Sequence, residues 1–234
     1  MIDPKPLIEV RQLTKVFAGE HSKPGRRQRD FIVALDHISF SVLPGEIVGL
    51  IGGNGSGKTT LLRLLAGTSI PTSGQIKISS QPRAILSLGG SLHSQLTARE
   101  NIYLYGAMLG IRRRELRADE ESILTFAGLA DVADEPVRQF SLGMRLRLAF
   151  AIATSGQPEI MVIDEVIAAG DASWQAAGLQ RLRELSQAGT ALVIATHDLL
   201  TLDKVASTVI WLEQGQIKKR GYPAYITASY KNAT

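Results

Sequence analysis

A glycine-rich turn at residues 52–59 constrains the fold and the chemistry of this chain more than any other feature. An apolar run, residues 47–51, leads into the turn, which ends in Gly57, Lys58 and Thr59. Glycines at this spacing let successive backbone N–H groups surround anionic oxygens, where a Cβ would collide with the phosphates or with the bend. A glycine turn that binds nothing is the alternative. The strand, the complete spacing, the lysine and the hydroxyl together predict a nucleotide phosphate site.

The residues of this loop have separable predicted roles. Lys58 is expected to reach the β- and γ-phosphates, and the Thr59 hydroxyl is expected to bind Mg²⁺. The helix that follows directs the positive end of its dipole at the same anion. The predicted nucleotide-binding residues are Gly52, Gly53, Asn54, Gly55, Ser56, Gly57, Lys58, Thr59 and Thr60.

The composition narrows the class of protein. With 234 residues, 44% of them hydrophobic, the chain can bury one large core, or one core with an inserted subdomain. No apolar run approaches the roughly 18 to 20 residues of a membrane helix, so we expect no span of the bilayer. The start of the chain has no apolar signal core, and the absence of cysteine excludes disulfides and thiolate metal sites, which fits the cytosol. The net charge of +4 is compatible with anionic ligands, nucleic acid or an anionic membrane surface.

The first third of the chain has the alternation of half-buried strands. Residues 7–17 and 31–43 alternate apolar and polar positions, which predicts antiparallel strands. Between them, residues 21–29 form a basic segment with Pro and Gly, typical of a solvated connection. Electrostatic contact of this segment with lipid headgroups or a partner is the alternative.

The rest of the chain predicts an α/β core with a helical insertion. Thr97 and Glu100 have capping-box spacing, and the region from residue 97 to about 140 contains no strand pattern. Continuous apolar runs at residues 159–163 and 190–195 are typical of central parallel strands. Short strands near residues 75–79 and 83–88, a closing hairpin over residues 209–218 and a helix after Pro223 complete the predicted elements.

Three polar residues follow these central strands directly. Asp164 and Glu165 end the first run, and His197 follows the second. Ligands of open parallel sheets bind at this edge. Asp164 is expected to hold the Mg²⁺ shell, Glu165 to polarise the attacking water, and His197 to contact a γ-phosphate oxygen or that water. Two solvated carboxylates and a structural histidine are the alternative.

The segment Phe140-Ser-Leu-Gly-Met144, followed by an amphipathic helix, resembles the signature motif of ATP-binding-cassette ATPases. It precedes Asp164 and His197 at spacings that suit that family. The resemblance implies ATP as the nucleotide and a head-to-tail pair of cassettes, in which each signature motif completes the partner's site. Ser141 and the N–H groups around Gly143 would then bind the γ-phosphate of a second copy's ATP. An ordinary serine N-cap is the alternative.

The same resemblance assigns two further residues. Phe17 corresponds to the aromatic residue that stacks on adenine, with a core or turn phenylalanine as the alternative. Asp171 corresponds to the loop that couples the two sites across the dimer. The chain departs from the family at Leu142 and Met144, and residues 86–93 contain no glutamine where the family's Q-loop supplies one.

The segments at residues 86–101 and 140–174, which include these departures, are similar to those of the cassettes that export O-antigen, capsular polysaccharide or teichoic acid, and the similarity covers most of the chain. It implies one α/β ABC-type ATPase domain over residues 1–234, with a mixed sheet, an N-terminal antiparallel β-subdomain and a helical subdomain inserted at about residues 97–140. No C-terminal carbohydrate-binding domain is expected. The implied partners are an integral-membrane permease, a second copy of the chain and a lipid-linked glycan as cargo, with no nucleic acid. The implied location is the cytoplasmic face of the plasma membrane.

Three other functions share some of these motifs. A cassette that exports a drug, a lipid or an ion has the same ATP motifs. A soluble cassette that acts on ribosomes or DNA fits the basic charge, although such proteins usually carry two cassettes or a long coiled coil. A small-molecule kinase shares the phosphate loop but has no need of Ser141, Gly143 or Asp171.

Overall fold

The computed structural model describes residues 4–18, 31–86, 92–164 and 171–233. Its strands are β1 (Ile8–Ala18), β2 (Phe31–Val42), β3 (Ile47–Ile51), β4 (Ser73–Ile78), β5 (Arg83–Ile85), β6 (Ile160–Asp164), β7 (Ala191–Ala195), β8 (Thr208–Glu213) and β9 (Gln216–Gly221). Its helices are α1 (Lys58–Leu65), α2 (Ala98–Met108), α3 (Arg113–Ala127), α4 (Leu142–Ala153), α5 (Ala172–Gln187), α6 (Leu199–Val205) and α7 (Pro223–Lys231).

Two sheets form the nucleotide-binding part of the fold. Among the described residues, β2-β1-β4 is an antiparallel sheet, and β5-β6-β7-β3-β8-β9 is a mixed sheet in which only β9 runs antiparallel to its neighbour. The buried faces of both sheets and of α1 share one apolar core, since the alternating residues of β1 and β2 direct one side inward. The central strands β3 and β7 are buried along their whole length.

The parallel strands place three loops at the same sheet edge. β6, β7 and β3 lie side by side in the parallel part of the sheet, with β7 between the other two. Their carboxyl ends lead into the glycine turn, into Asp164 and into the segment before His197. This arrangement follows from buried strands of similar length in parallel register.

A helical layer lies between β5 and β6 in the chain. The Thr97 side chain accepts a hydrogen bond from the N–H of Glu100, and the Glu100 side chain accepts one from the N–H of Thr97, as the predicted capping box requires. α3 ends at Gly128, which has φ +65°. α2, α3 and α4 share an apolar core. The helical layer therefore includes the helix that begins after Ser141.

The predicted fold class is confirmed: an α/β core with a mixed sheet, an antiparallel N-terminal sheet and inserted helices. The structure differs in detail at two places. The strand predicted at residues 83–88 ends at Ile85, since Leu86 lies in a bend, and residues 87 and 88 lie outside the described residues. The helix after the glycine turn includes Lys58 itself, since Gly57 with φ +106° ends the turn directly before it.

Candidate functional site

The phosphate loop opens onto a cavity of about 430 Å³ at the carboxyl edge of the mixed sheet. The cavity is lined by Phe17, Ile32, Val33, Ala34, Asn54, Gly55, Ser56, Gly57, Lys58, Thr59, Thr60, Asp164, Ala195, Thr196 and His197. Residues from β1, β2, the glycine turn, β6 and the end of β7 thus meet at one place. A volume of this size suits a nucleotide-sized ligand.

The side chain of Lys58 forms hydrogen bonds with the backbone of the phosphate loop. Its side chain is only 9% exposed, and its ammonium donates hydrogen bonds to the carbonyl oxygens of Gly52, at 2.7 Å, and Gly53, at 3.0 Å. These two carbonyls therefore point inward at the lysine. The ammonium places a fixed positive charge at the centre of the turn, where an anion would bind.

The start of α1 supplies further donors. No side chain of the described residues caps this helix, and its first turn carries no acidic residue. Its first N–H groups therefore remain available to an anion. The Ser56 hydroxyl, which also lines the cavity, is buried without a hydrogen-bond partner in the described chain. A phosphate would satisfy such a hydroxyl.

Thr59 and Asp164 approach each other across the cavity. The Thr59 hydroxyl donates a hydrogen bond to Asp164 Oδ2 at 3.2 Å, although the two residues are far apart in the chain. A hydroxyl and a carboxylate are hard oxygen ligands, the type that Mg²⁺ prefers. The donor set therefore fits the predicted magnesium site.

His197 also lines the cavity, after the carboxyl end of β7. The next residue, Asp198, caps α6 by accepting hydrogen bonds from the N–H groups of Leu200 and Thr201. Hydrogen bonds from the Thr201 hydroxyl and these backbone groups hold the pKa of Asp198 below its ordinary value. These hydrogen bonds hold the backbone of the turn that carries the His197 imidazole.

Phe17 also lines the cavity. Its ring is 42% exposed, and its strand neighbour across the antiparallel pair is Ile32. Ile32 and Val33 are also exposed and line the cavity. They were not among the predicted site residues. Because antiparallel neighbours share a face, the pairing of Phe17 with the start of β2 could have indicated these two residues.

The signature residues lie outside this cavity. Ser141 caps α4, and its hydroxyl accepts a hydrogen bond from the N–H of Met144 at 3.2 Å. An added Cβ at Gly143 would meet nothing nearer than Ser141 Oγ, at 3.9 Å. Leu142, between them, is 66% exposed. The start of α4 is therefore exposed, and no described residue packs so closely against residue 143 that it must be glycine.

Asp171 caps α5. Hydrogen bonds from the Ser173 hydroxyl and the Trp174 N–H hold the pKa of Asp171 below its ordinary value. Glu165 lies outside the described residues, so its predicted role stays a prediction. Gln95 lies just after residues 86–93, which contain no glutamine at the family's Q-loop. It accepts a hydrogen bond from Arg138 at 3.1 Å and does not line the cavity.

Among the loop glycines, Gly52 and Gly53 differ sharply in their surroundings. Gly52 has φ +149°, and an added Cβ would lie 2.2 Å from the carbonyl oxygen of Leu212 on β8. Gly53 is exposed, and an added Cβ would meet nothing within 4 Å. The two positions therefore form a matched pair.

Replacing Gly52 by alanine is expected to lower the free energy of unfolding by roughly 3 kcal/mol, because the Cβ overlaps a backbone oxygen that cannot move freely. The Gly53→Ala control should change it by less than about 0.5 kcal/mol. Urea denaturation of both variants measures the difference. Equal stability of the two variants would contradict this account of the loop.

Comparison with known proteins identifies the family. The family model described as "ABC transporter" matches residues 35–168, more than half of the chain. The O-antigen export system ATP-binding protein of Myxococcus xanthus is 41% identical over 212 residues, covering 89% of this chain and 48% of that protein. A protein of the same name from Klebsiella pneumoniae is 39% identical over 201 residues, covering 86% of this chain and 82% of that protein.

A solved structure agrees with these relatives. The ATP-binding subunit of an ABC transporter superposes with a TM-score of 0.79 at 25% identity, covering 96% of this chain and 93% of that one. The chain spans about half the length of the Myxococcus relative but most of the Klebsiella one. The predicted resemblance to O-antigen export cassettes is confirmed at the level of sequence. The chain therefore belongs to the ABC transporter family, as its resemblance to that family predicted.

Proposed function

We propose that this chain is the ATP-hydrolysing subunit of an exporter that moves a lipid-linked cell-envelope polysaccharide across the cytoplasmic membrane. The observation that carries the proposal is the single cavity in which the phosphate loop, Asp164, His197 and Phe17 meet. The relatives named for O-antigen export supply the class of cargo.

Within the cavity, the residues divide the work on ATP. The loop N–H groups, Lys58 and the Ser56 hydroxyl bind the phosphates, and Phe17 stacks on the adenine. Thr59 and Asp164 would hold Mg²⁺, which when bound neutralises the charge that develops on the phosphate oxygens. Glu165 follows Asp164 directly and would take a proton from the attacking water, while His197 orients that water or a γ-phosphate oxygen.

The second half of the ATP site would come from another copy of the chain. Ser141, Leu142 and Gly143 form an open surface at the start of α4, where the serine hydroxyl and the N–H groups can meet a phosphate. A glycine that its own chain does not require is consistent with close approach by another molecule. Asp171 would couple the two sites across the same interface.

The proposed docking site for the permease is a groove between β4 and α2. Two cavities, of about 860 Å³ and about 300 Å³, share Ala66, Gln81 and Pro82 and run from β4 to α2. At the α2 end, Met108 is 66% exposed beside Leu109. An apolar groove between two subdomains suits an apolar segment of a membrane partner.

The proposed location is peripheral, at the cytoplasmic face of the plasma membrane. Across the described ranges, no helix is both long enough and apolar enough to span a bilayer. A permease of separate sequence would then supply the path for the glycan. The second copy would cover the start of α4, and the permease would cover the groove between β4 and α2.

The cargo can be tested in the host of the chain. Deleting its gene should cause lipid-linked polysaccharide to accumulate inside the cell and to disappear from the surface. Wild-type chain and a Lys219→Met control, which changes a lysine outside the cavity, should restore surface glycan, and Lys58→Met should not. Normal surface glycan in the deletion strain, with loss of export of a drug, lipid or ion, would show a different cargo.

A further inference from the structure

Lys15 holds the ring of Phe17 from one side. Its ammonium lies 4.8 Å from the ring centroid, and it also donates a hydrogen bond to the carbonyl oxygen of Ile70 at 2.8 Å. The second contact ties the lysine to the segment before β4, so the ammonium has little freedom to leave the ring. The strand register shifts on both sides of Lys15, which alters the usual alternation at this point.

The side chain of Phe17 links Lys15 to the nucleotide cavity. Phe17, Ile32 and Val33 line the cavity, whereas Lys15 does not. The ammonium therefore contacts the ring without belonging to the lining of the space that a base would fill. Both faces of an aromatic ring carry partial negative charge, so a cation on one face leaves the other available for stacking.

We propose that Lys15 is a positioning residue for the nucleoside part of ATP: it fixes and polarises the ring of Phe17, against which the base stacks. The inference rests on the proposed role of Phe17 in ATP binding and goes beyond it by naming what holds the ring. Lys15 touches no phosphate in this arrangement. It acts only through the ring.

This placement separates two effects of a lysine near a nucleotide site. A lysine that attracts phosphate raises the affinity for every polyphosphate, with or without a base. A lysine that acts through a stacking ring raises only the affinity for ligands that carry the base. The full energy of a cation–π contact at an exposed site corresponds to roughly a two- to fivefold change in affinity, which is the largest effect expected through the ring.

The experiment compares ADP with inorganic pyrophosphate by calorimetry, under the same Mg²⁺ concentration and without turnover. Lys15→Met removes the charge and keeps the length of the side chain. Lys219→Met is the matched control, because Lys219 also lies over an aromatic ring, that of Tyr225, at 5.5 Å and outside the cavity. Each change is also made in a Phe17→Ala background.

The expected result is that Lys15→Met weakens ADP binding roughly two- to fivefold, leaves pyrophosphate binding unchanged and has no further effect when Phe17 is alanine. Lys219→Met should change neither affinity. The proposal is overturned by an unchanged ADP affinity in Lys15→Met, or by equal weakening for ADP and pyrophosphate. If Phe17→Ala itself leaves ADP affinity unchanged, the stacking role of Phe17 fails first, and the role of Lys15 falls with it.

Discussion

Replacing Lys58 by methionine is expected to reduce ATP affinity by about 100-fold or more. Lys58 is buried and is the only lysine or arginine among the described residues that line the cavity. Hydrogen bonds from a charged donor are worth roughly 1.5 to 3 kcal/mol each, and the lysine is expected to contact both the β- and γ-phosphates. Methionine keeps the aliphatic length and removes both contacts.

Calorimetry with ATP measures this loss, in a Glu165→Gln background that suppresses turnover. The Lys219→Met variant serves as the control and should bind ATP like the unchanged protein. Thermal melting checks that the loop still folds, because Gly52 and Gly53 lose the donor that their carbonyls now share. An affinity within about threefold of the unchanged protein would contradict the assignment of this lysine to the phosphates.

The Glu165→Gln variant is expected to hydrolyse ATP roughly 100- to 1,000-fold more slowly, while binding it with little change. A general base contributes on this order to the rate, and an amide cannot accept the proton of the attacking water. With hydrolysis blocked, two copies should remain closed on two ATP molecules. Single-turnover kinetics measure the rate, and light scattering in MgATP measures the dimer.

A second change tests the shared site separately. Ser141→Arg in the Glu165→Gln background should abolish the ATP-dependent dimer, because a bulky cation at the start of α4 fills the open surface beside Gly143. ATP affinity of the single copy should be unchanged, since Ser141 lies outside the cavity. The matched control is Met108→Arg, at a residue of α2 that is also exposed. A dimer that persists in Ser141→Arg would show that α4 does not face the partner's nucleotide.

Much of the site could be predicted because its motifs are local. The spacing from Gly52 to Thr59, the carboxylates that end one apolar run and the histidine that ends another all lie within a few residues of a recognisable strand. Parallel strands bring such ends together at one edge whatever the loops between them contain. The contact between Thr59 and Asp164 agrees with that reasoning.

Other parts of the site depend on contacts between distant residues. Ile32 and Val33 carry no chemical signature, and they belong to the cavity because β2 pairs with β1 beside Phe17. The position of Ser141 relative to a second copy involves a surface between molecules, which no pattern within one chain specifies. Residue type alone is uninformative in such places, since exposed apolar residues are common on any surface.

The amino-acid sequence by itself determined the phosphate loop, the order of the strands and helices and the family, because glycine spacing and apolar periodicity act over short distances. Only the tertiary structure decided which glycines the fold requires and which side chain contacts the ring of Phe17. Gly52 is required because the carbonyl of Leu212, on a strand far along the chain, packs against it, while Gly53 faces open space. Lys15 meets Phe17 because an irregular strand register and the Ile70 carbonyl hold the ammonium there.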